Sequence, residues 1–245
     1  MRLTAVFVTV LTLALGGCSA PTSAPASARA DAASDAKGAY GSVDCAEAKC
    51  IALTFDAGPG KDTPHLLDVL EEKKVPATFF LLGRSHVLKH PDTVRRIADE
   101  GHEVANHTWS HKILTDMSRA GIRAELERTQ RAIERITGTR PRLMRPPQGR
   151  TDGTVSEICE ELGLSQVLWS ATAKDYSTND SALIEERILD QASRDGIILL
   201  HDIYAGTVPA VPGIIDTLKE RGYTFVTVPQ LMAPAEPQPG TVYRP

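Results

Sequence analysis

The chain has 245 residues and a formal net charge of −4 at pH 7, from 27 Lys and Arg against 31 Asp and Glu. This balance, with no basic run and no interleaving of aromatic and basic residues, argues against a nucleic-acid partner. Beyond the N-terminal segments about 200 residues remain, enough for one domain with a substantial core.

The first 18 residues have the pattern of an export signal. Met1 and Arg2 precede an apolar stretch from Leu3 to Leu15, which two glycines and Cys18 follow. The stretch is short for a spanning helix, and small residues directly before a cysteine are typical of a bacterial lipobox. We predict a lipoprotein signal over residues 1–18, with a lipidated Cys18 holding the chain to the outer face of the plasma membrane. The alternative is an ordinary signal peptide and secretion.

Low-complexity segments flank the predicted domain. Residues 19–44 are rich in Ala, Ser and Pro and have no period that would bury a face, so we predict a disordered tether there. Residues 233–245 are predicted to be a proline-rich tail. The domain is therefore expected over residues 45–232, and we expect it to be monomeric.

The cysteines have two predicted roles. Cys45 and Cys50 bound a short loop directly before the first apolar run, and export would place them where disulfides persist, so we predict a bond between them. Cys159 lies with Val155, Ile158 and Leu162 at helical spacing, which predicts a buried free thiol.

Strand-like and helical segments alternate along the domain. One helix is predicted to begin at Asp62 or Thr63, before Pro64, and another to run from Ile122 to Ile136 and end at Gly138. The strand-like runs are CIALTF, PATFFLL, HEVAN, RLMR, QVLWS, IILL and YTFVTV. This alternation predicts an α/β fold whose sheet is mainly parallel, either open or closed as a (β/α) barrel of about seven strands.

Chemically capable residues follow these runs at the carboxyl ends of the predicted strands. In a barrel that edge is where sites are assembled, so the residues are expected to converge on one cleft. They are, in chain order, Asp56, His107, Arg145, Asp175, and His201 with Asp202.

Each motif also has a purely structural interpretation. His107 and His111 are four apart, a spacing that on a helical turn points both rings one way as a metal requires, but the spacing is common. The segment RPPQG at residues 145–149 has the composition of a rigid proline turn. Asp56 could be a turn residue before Gly58. His201 could be a structural histidine at a strand end, with its ring nitrogens hydrogen-bonded.

Five segments in order, from about Cys50 to Gln230, resemble the motifs of the NodB-type polysaccharide deacetylase family, also called carbohydrate esterase family 4. They are TFDAGP, HTWSH, RPPQG, WSATAKDY and IILLHD. The resemblance implies a distorted (β/α) barrel, the NodB homology domain. It also implies removal of N-acetyl groups, or occasionally O-acetyl groups, from a polysaccharide with a divalent metal, Zn or Co.

The resemblance implies a role for each matched residue. Asp56 would be the general base held by Arg145, and His201 the general acid paired with Asp175. The resemblance also makes His107 and His111 metal ligands. The backbone near Gln148 would donate to the oxyanion, and Tyr176 and Leu199 would form the walls of an acetyl pocket.

Departures from the family pattern leave two hypotheses. Ala57 stands where the family has a metal-ligand aspartate, and Gln148 where it has a tyrosine. In the fourth motif Thr172 replaces an aspartate and Tyr176 a tryptophan. The first hypothesis is an exported hydrolase acting on cell-wall glycan, chitooligosaccharide or a related polymer. The second is a metal-poor relative that binds glycan without turnover, and an esterase for acetylated xylan is a further substrate alternative.

Overall fold

A curled sheet of parallel strands forms the centre of the computed structural model, which describes residues 21–32 and 43–245. Within these residues the strands are β1 (Thr22–Ser23), β2 (Cys50–Asp56), β3 (Thr78–Leu81), β4 (Glu103–Asn106), β5 (Leu143–Met144), β6 (Ser165–Val167), β7 (Ala171–Thr172), β8 (Gly196–Leu200), β9 (Thr224–Val226) and β10 (Val242–Tyr243). Their order is β1-β10-β6-β5-β4-β3-β2-β8-β7, and β9 also pairs with β2. The predicted distorted (β/α) barrel is confirmed, and its seven predicted strands correspond to β2–β6, β8 and β9.

Helices connect the strands and cover the outside of the sheet. They are α1 (Pro25–Ala32), α2 (Thr63–Lys73), α3 (Pro91–Asp99), α4 (Arg119–Thr137), α5 (Gly153–Glu161), α6 (Ser181–Gln191), α7 (Thr207–Glu220) and α8 (Val228–Met232). The predicted start of α2 is confirmed. The predicted end of α4 at Gly138 is confirmed as well, because this glycine adopts φ 75°, a left-handed conformation that costs glycine little.

The core lies on both faces of the sheet, which explains why the strands read as continuous apolar runs. Along β8, Ile198 and Leu200 point outward into the large cluster beneath the helices. Ile197 points to the other side, where it packs with Ala52 and Val226. Every residue of β2 and β8 is buried, so only their ends can present polar groups to solvent.

Both cysteine predictions are confirmed. Cys45 and Cys50 form a disulfide with their Cα atoms 5.5 Å apart, which attaches the loop to the first residue of β2. Cys159 is a free thiol, fully buried in α5, and burial raises its pKa to about 12. It is therefore a protonated core residue at neutral pH.

The predicted tether is wrong for residues 21–32. Thr22–Ser23 pairs with β10, and α1 packs against α8. Arg29 of α1 donates to the carbonyl of Leu231 at 2.8 Å and to Asp195 at 3.1 Å. A sheet edge accepts any extended backbone, so this pairing needs no apolar period in the sequence. The predicted signal, with Cys18, and residues 19–20 and 33–42 of the tether lie outside the described residues.

The predicted C-terminal tail also belongs to the sheet. Val242 and Tyr243 are 3% and 2% exposed and pair in parallel with β6, between β6 and β1. Two residues are too few to show a strand period, which is why the sequence did not reveal β10. In the part of the chain that the structure describes, no helix is both long and apolar enough to cross a bilayer.

Candidate active site

Arg145 holds Asp56 at the carboxyl end of β2. The guanidinium is fully buried, and its Nη1 donates to Asp56 Oδ1 at 2.7 Å and to Thr54 Oγ1 at 2.7 Å. Nε and Nη2 donate to the carbonyls of Val167 and Leu168 at 3.0 and 3.2 Å. With its donors distributed in this way, Arg145 fixes the orientation of Asp56 and leaves Oδ2 as the carboxylate oxygen that it does not bind.

His107 follows β4 and faces that second oxygen. Its Nδ1 lies 2.8 Å from the carbonyl oxygen of Arg145, which can only accept, so Nδ1 carries the proton. Nε2 then has a free lone pair and lies 3.9 Å from Asp56 Oδ2. Burial lowers the pKa of His107 to about 4, which keeps the ring neutral, as a metal ligand must be.

His111 lies next to His107, with the two ring centroids 4.9 Å apart. Burial lowers the pKa of His111 too. The expected helical turn is wrong, because Thr108 and His111 have φ values of 69° and 61° and the segment is a tight loop. Asn106 Oδ1 accepts from the N–H of Thr108 at 2.8 Å, and Glu125 accepts from two further loop N–H groups. Side chains from β4 and α4 thus bring the rings together.

His201 follows β8 and is held by Asp175. Its Nδ1 donates to Asp175 Oδ1 at 2.8 Å, and its main-chain N–H donates to Oδ2 at 2.7 Å. Thr207 donates to the same Oδ2 at 2.8 Å. Burial by itself would lower the pKa of His201, but the hydrogen bond and charge of Asp175 outweigh it, and the pKa is raised. When the ring is protonated, Nε2 also carries a proton, and it is the ring nitrogen left for a reacting group.

These groups lie at one edge of the sheet, as the sequence predicts. The charge of Asp56 raises the pKa of His201, and the charge of His201 lowers that of His111. Residues from β2, β4, β5 and β8, far apart in the chain, thus act on one another across the mouth of the barrel.

The three predicted substrate contacts have different environments. Gln148 is exposed in the turn Pro147–Gly149 and has φ 58°. Tyr176 is 59% exposed, with its ring centroid 6.3 Å from that of His201. Leu199 is 6% exposed within β8, two residues before His201. Tyr176 and Gln148 therefore lie at the surface of the mouth, whereas Leu199 lies below it.

Three further residues support the site. The sequence predicted Asp202 at the converging edge without a role, and Thr54 and Tyr204 were not predicted. Thr54 lies two residues before Asp56, on the same side of β2, and this period-two relationship was the available signal. Asp202 is fully buried, accepts from Thr63 at 2.5 Å, and has its pKa raised by burial to about 6. A Cβ on Gly58 would lie 2.4 Å from Asp202 Oδ1, so this carboxyl group supports the turn after Asp56. Tyr204 has its ring 5.4 Å from that of His201.

Two neighbouring histidines are the candidate ligands for a divalent metal among the described residues. His107 and His111 are neutral and adjacent, as zinc-type sites require. Ala57, directly after Asp56, is 6% exposed and supplies no donor. Within residues 21–32 and 43–245, no three His, Cys, Asp or Glu side chains form a cluster able to hold a metal. The two imidazoles fit such an ion, and the methyl group of Ala57 adds no ligand to them.

A carboxylate held by a buried arginine and an imidazole held by a buried aspartate share this mouth. A carboxylate that can accept a proton and a separate imidazole that can donate one are the groups that acid–base hydrolases use. The family model for polysaccharide deacetylase matches residues 44–167, and the chain belongs to this family.

Known proteins similar to the chain include both active and inactive members. The peptidoglycan-N-acetylmuramic acid deacetylase PdaC of Bacillus subtilis is 41% identical over 184 residues, 75% of this chain and 38% of that protein. The chain therefore spans about 38% of the length of this relative. The solved T48 deacetylase with substrate is 41% identical, with a TM-score of 0.79 over 83% of this chain and 100% of that one. A mutant pseudoenzyme of carbohydrate esterase family 4 with restored enzymatic activity is 29% identical, with a TM-score of 0.72 over 76% and 68%.

Proposed function

We propose that the protein is an exported, metal-dependent hydrolase that removes N-acetyl groups from cell-wall glycan. The observation that carries this proposal is the pair of buried supports, Arg145 on Asp56 and Asp175 on His201. Buried charged groups are costly to maintain unless they are paired, and these pairs leave one free atom each at the same mouth. The similarity to a deacetylase of peptidoglycan supports the cell wall as the source of the glycan.

The chain's own residues divide the proton transfers between them. Asp56 Oδ2, the oxygen not bound by Arg145, takes a proton from the water that attacks the acetyl carbonyl. His201 Nε2 gives a proton to the departing amine nitrogen, which is a poor leaving group without it. Because the hydrogen bond and charge of Asp175 raise the pKa of His201 above its ordinary value, the ring keeps that proton to higher pH than an unperturbed histidine would.

The turn at Gln148 suits the developing negative charge on the acetyl oxygen. The main-chain N–H of Gln148 has no acceptor among residues 21–32 and 43–245, and the turn is exposed beside the mouth. A preoriented N–H group is the usual donor for an oxyanion. Replacement of the family tyrosine by Gln148 leaves this donor in place, since it belongs to the backbone.

A divalent metal, Zn or Co, would be held by His107 and His111. When bound, it would polarise the acetyl carbonyl and lower the pKa of a water molecule. Ala57 leaves the site one carboxylate short, so we propose that its affinity for metal is reduced.

Export is proposed from the N-terminal sequence. The pattern over residues 1–18 favours a lipoprotein signal, and lipidation of Cys18 would hold the enzyme at the outer face of the plasma membrane, close to wall glycan. This location agrees with the proposed substrate. We propose that the enzyme acts there as a monomer.

A second function is favoured by Ala57: a glycan-binding protein without turnover. One similar structure is of a mutant of a pseudoenzyme of carbohydrate esterase family 4 with restored enzymatic activity, which supports a relative without turnover as an alternative. The missing carboxylate would weaken catalysis while leaving the cleft able to hold a sugar.

One experiment separates the two functions. The purified protein is incubated with acetylated chitooligosaccharides, wall glycan or acetylated xylan, with and without added zinc or cobalt, and released acetate is measured. We expect metal-stimulated release from wall glycan, abolished by Asp56→Asn. Release from xylan alone would identify an O-acetyl esterase. No release from any substrate, together with measurable glycan binding, would contradict the hydrolase and support the binding protein.

A further inference from the structure

The C-terminal strand ends at the face of the sheet where the site lies. β10 runs parallel to β6 with Tyr243 opposite Val167, and the N–H of Leu168 donates to the carbonyl of Tyr243 at 2.9 Å. Parallel strands share one carboxyl edge, so Arg244 emerges from that edge beside Leu168. A segment predicted to be a tail therefore delivers a cation to the mouth of the barrel.

The backbone of Arg244 is fixed while its side chain is available. Its N–H donates to the carbonyl of Ser23 at 3.0 Å, and the preceding Tyr243 is 2% exposed. The guanidinium is exposed, and it makes neither a hydrogen bond nor an ion pair with any other residue in the described ranges. An arginine whose backbone is fixed and whose guanidinium N–H donors are available is well placed to bind a ligand.

Arg244 lines a cleft of about 280 Å³ together with Gln148, Gly149, Leu168 and Trp169. This volume is close to the lower limit of roughly 300 Å³ for small-ligand sites and suits one sugar residue. A Cβ on Gly149, which has φ 68°, would lie 2.9 Å from the ring of Trp169. The turn and the ring are thus in close contact, and together they form a fixed wall.

The cleft is adjacent to the proposed base. The ring centroid of Trp169 is 5.7 Å from Cζ of Arg145, and Arg145 binds Asp56 at 2.7 Å. Gln148, whose N–H is the proposed oxyanion donor, lines the same cleft. A sugar held here would therefore be a close neighbour of the acetylated sugar along one glycan chain.

The chemistry of the cleft indicates an acidic sugar. An indole ring packs against the apolar face of a pyranose, and a guanidinium binds a carboxylate through two parallel hydrogen bonds. The net charge of the chain is −4, so the protein as a whole does not attract anions. Binding of an anion in this cleft would therefore depend on Arg244. We propose that Arg244 and Trp169 form a subsite for a carboxylate-bearing sugar residue that neighbours the sugar to be deacetylated. This inference deepens the proposed function and rests on it.

Binding of two oligosaccharides to wild type and Arg244→Gln tests the proposal. One ligand is a neutral N-acetylglucosamine oligomer, and the other is a peptide-free peptidoglycan fragment of equal length, whose muramic residues carry free lactyl carboxylates. Affinity is measured by calorimetry at low and high salt. The matched control variant is Arg128→Gln, since Arg128 is an exposed arginine on the outer helix α4.

We expect Arg244→Gln to weaken binding of the acidic fragment about tenfold at low salt, with a smaller loss at high salt. Binding of the neutral oligomer should be unchanged, and Arg128→Gln should change neither. Reducing the lactyl carboxylates to alcohols should remove the difference between wild type and Arg244→Gln. Equal losses for both ligands, or no loss for the acidic fragment, would overturn the inference.

Acetate release is measured separately, so the two proposals fail in different ways. Arg244-dependent binding of the acidic fragment without any acetate release would refute the hydrolase and leave the subsite standing. Acetate release with no dependence of KM or binding on Arg244 would refute the subsite and leave the hydrolase standing.

Discussion

Arg145 and Asp56 form a wholly enclosed ion pair, with Nη1 2.7 Å from Oδ1 and side chains 0% and 4% exposed. The two residues are 89 positions apart in the chain and come together because β5 and β2 end at the same edge of the barrel. Burial lowers the pKa of Arg145, and the charge of Asp56 opposes that shift. The same ion pair therefore stabilises the barrel and orients the proposed base.

Breaking this pair from one side should be costly. Arg145→Met leaves Asp56 as an unpaired buried carboxylate, so we expect a loss of about 3–5 kcal/mol in the free energy of unfolding and no turnover. Urea denaturation followed by circular dichroism measures the loss. The double variant Arg145→Met with Asp56→Leu removes both charges and should recover most of the stability but none of the activity. Equal destabilisation of the single and double variants would show that packing, and not the charge pair, is responsible.

Asp175 should control the pH dependence of turnover through His201. The pKa of His201 is raised because Asp175 outweighs burial, so acid catalysis persists up to that raised pKa and is lost as pH rises through it. Asp175→Asn removes the charge, and the alkaline limb of kcat/KM should move to lower pH. The same pair makes a stability contribution that is present below the unfolded pKa of about 6.5 and lost as pH rises through the folded value. An alkaline limb unmoved by Asp175→Asn would assign it to another group.

Ala57→Asp should add a carboxylate ligand to the proposed metal site. Position 57 has φ 66°, a left-handed conformation in which aspartate and asparagine are more frequent than alanine, so the backbone should tolerate the change. We expect tighter binding of zinc and cobalt, and faster acetate release at limiting metal with little change at saturation. Ala57→Asn has the same backbone preference and no charge, so it is the matched control. Calorimetric titration that finds one tightly bound metal in the wild type would instead require an unidentified third ligand.

His102 should make the fold sensitive to acid. It is 9% exposed, its Nδ1 accepts from the N–H of Ala77 at 3.1 Å, and burial lowers its pKa to about 4. Between about pH 6.5 and pH 4 the unfolded chain binds a proton here that the folded chain does not, so stability falls as pH falls through that window. The loss attributable to this residue has an upper limit of about 3 kcal/mol.

Comparing variants isolates this contribution from other titrating groups. His102→Gln keeps an acceptor for Ala77 and should flatten the pH dependence of the unfolding free energy between pH 6.5 and 4. His65→Gln, at an exposed position on α2, should leave the dependence as in the wild type. A pH dependence of His102→Gln equal to that of the wild type would contradict the assignment.

Lipidation predicts where the protein is found after expression. In a bacterium that processes lipoproteins, the wild type should fractionate with membranes, because bacterial lipoproteins carry more than one acyl chain and dissociate slowly. Cys18→Ser should move the protein to the soluble exported fraction. Mass spectrometry of the N-terminus checks the modification directly, and an unmodified wild type found wholly in the medium would favour the ordinary signal peptide.

Local sequence patterns were sufficient for the elements and for much of the site. Alternating apolar and amphipathic segments specify strands and helices, since each element must bury one face or both. Gly138 marked a helix end because its conformation is local, and the Cys45–Cys50 bond followed from a short loop. The convergence of Asp56, Arg145 and His201 was predictable because parallel strands of a barrel share one carboxyl edge.

Other features depended on contacts between distant segments, which local patterns do not record. The proton on Nδ1 of His107 is set by the carbonyl of Arg145, and the loop that carries His111 is shaped by Asn106 and Glu125. The place of Arg244 at the mouth follows from pairing of β10 with β6 through backbone groups. Every residue except proline offers the same backbone donor and acceptor, so side-chain patterns alone could not identify the partner strand, and only the tertiary structure decided it.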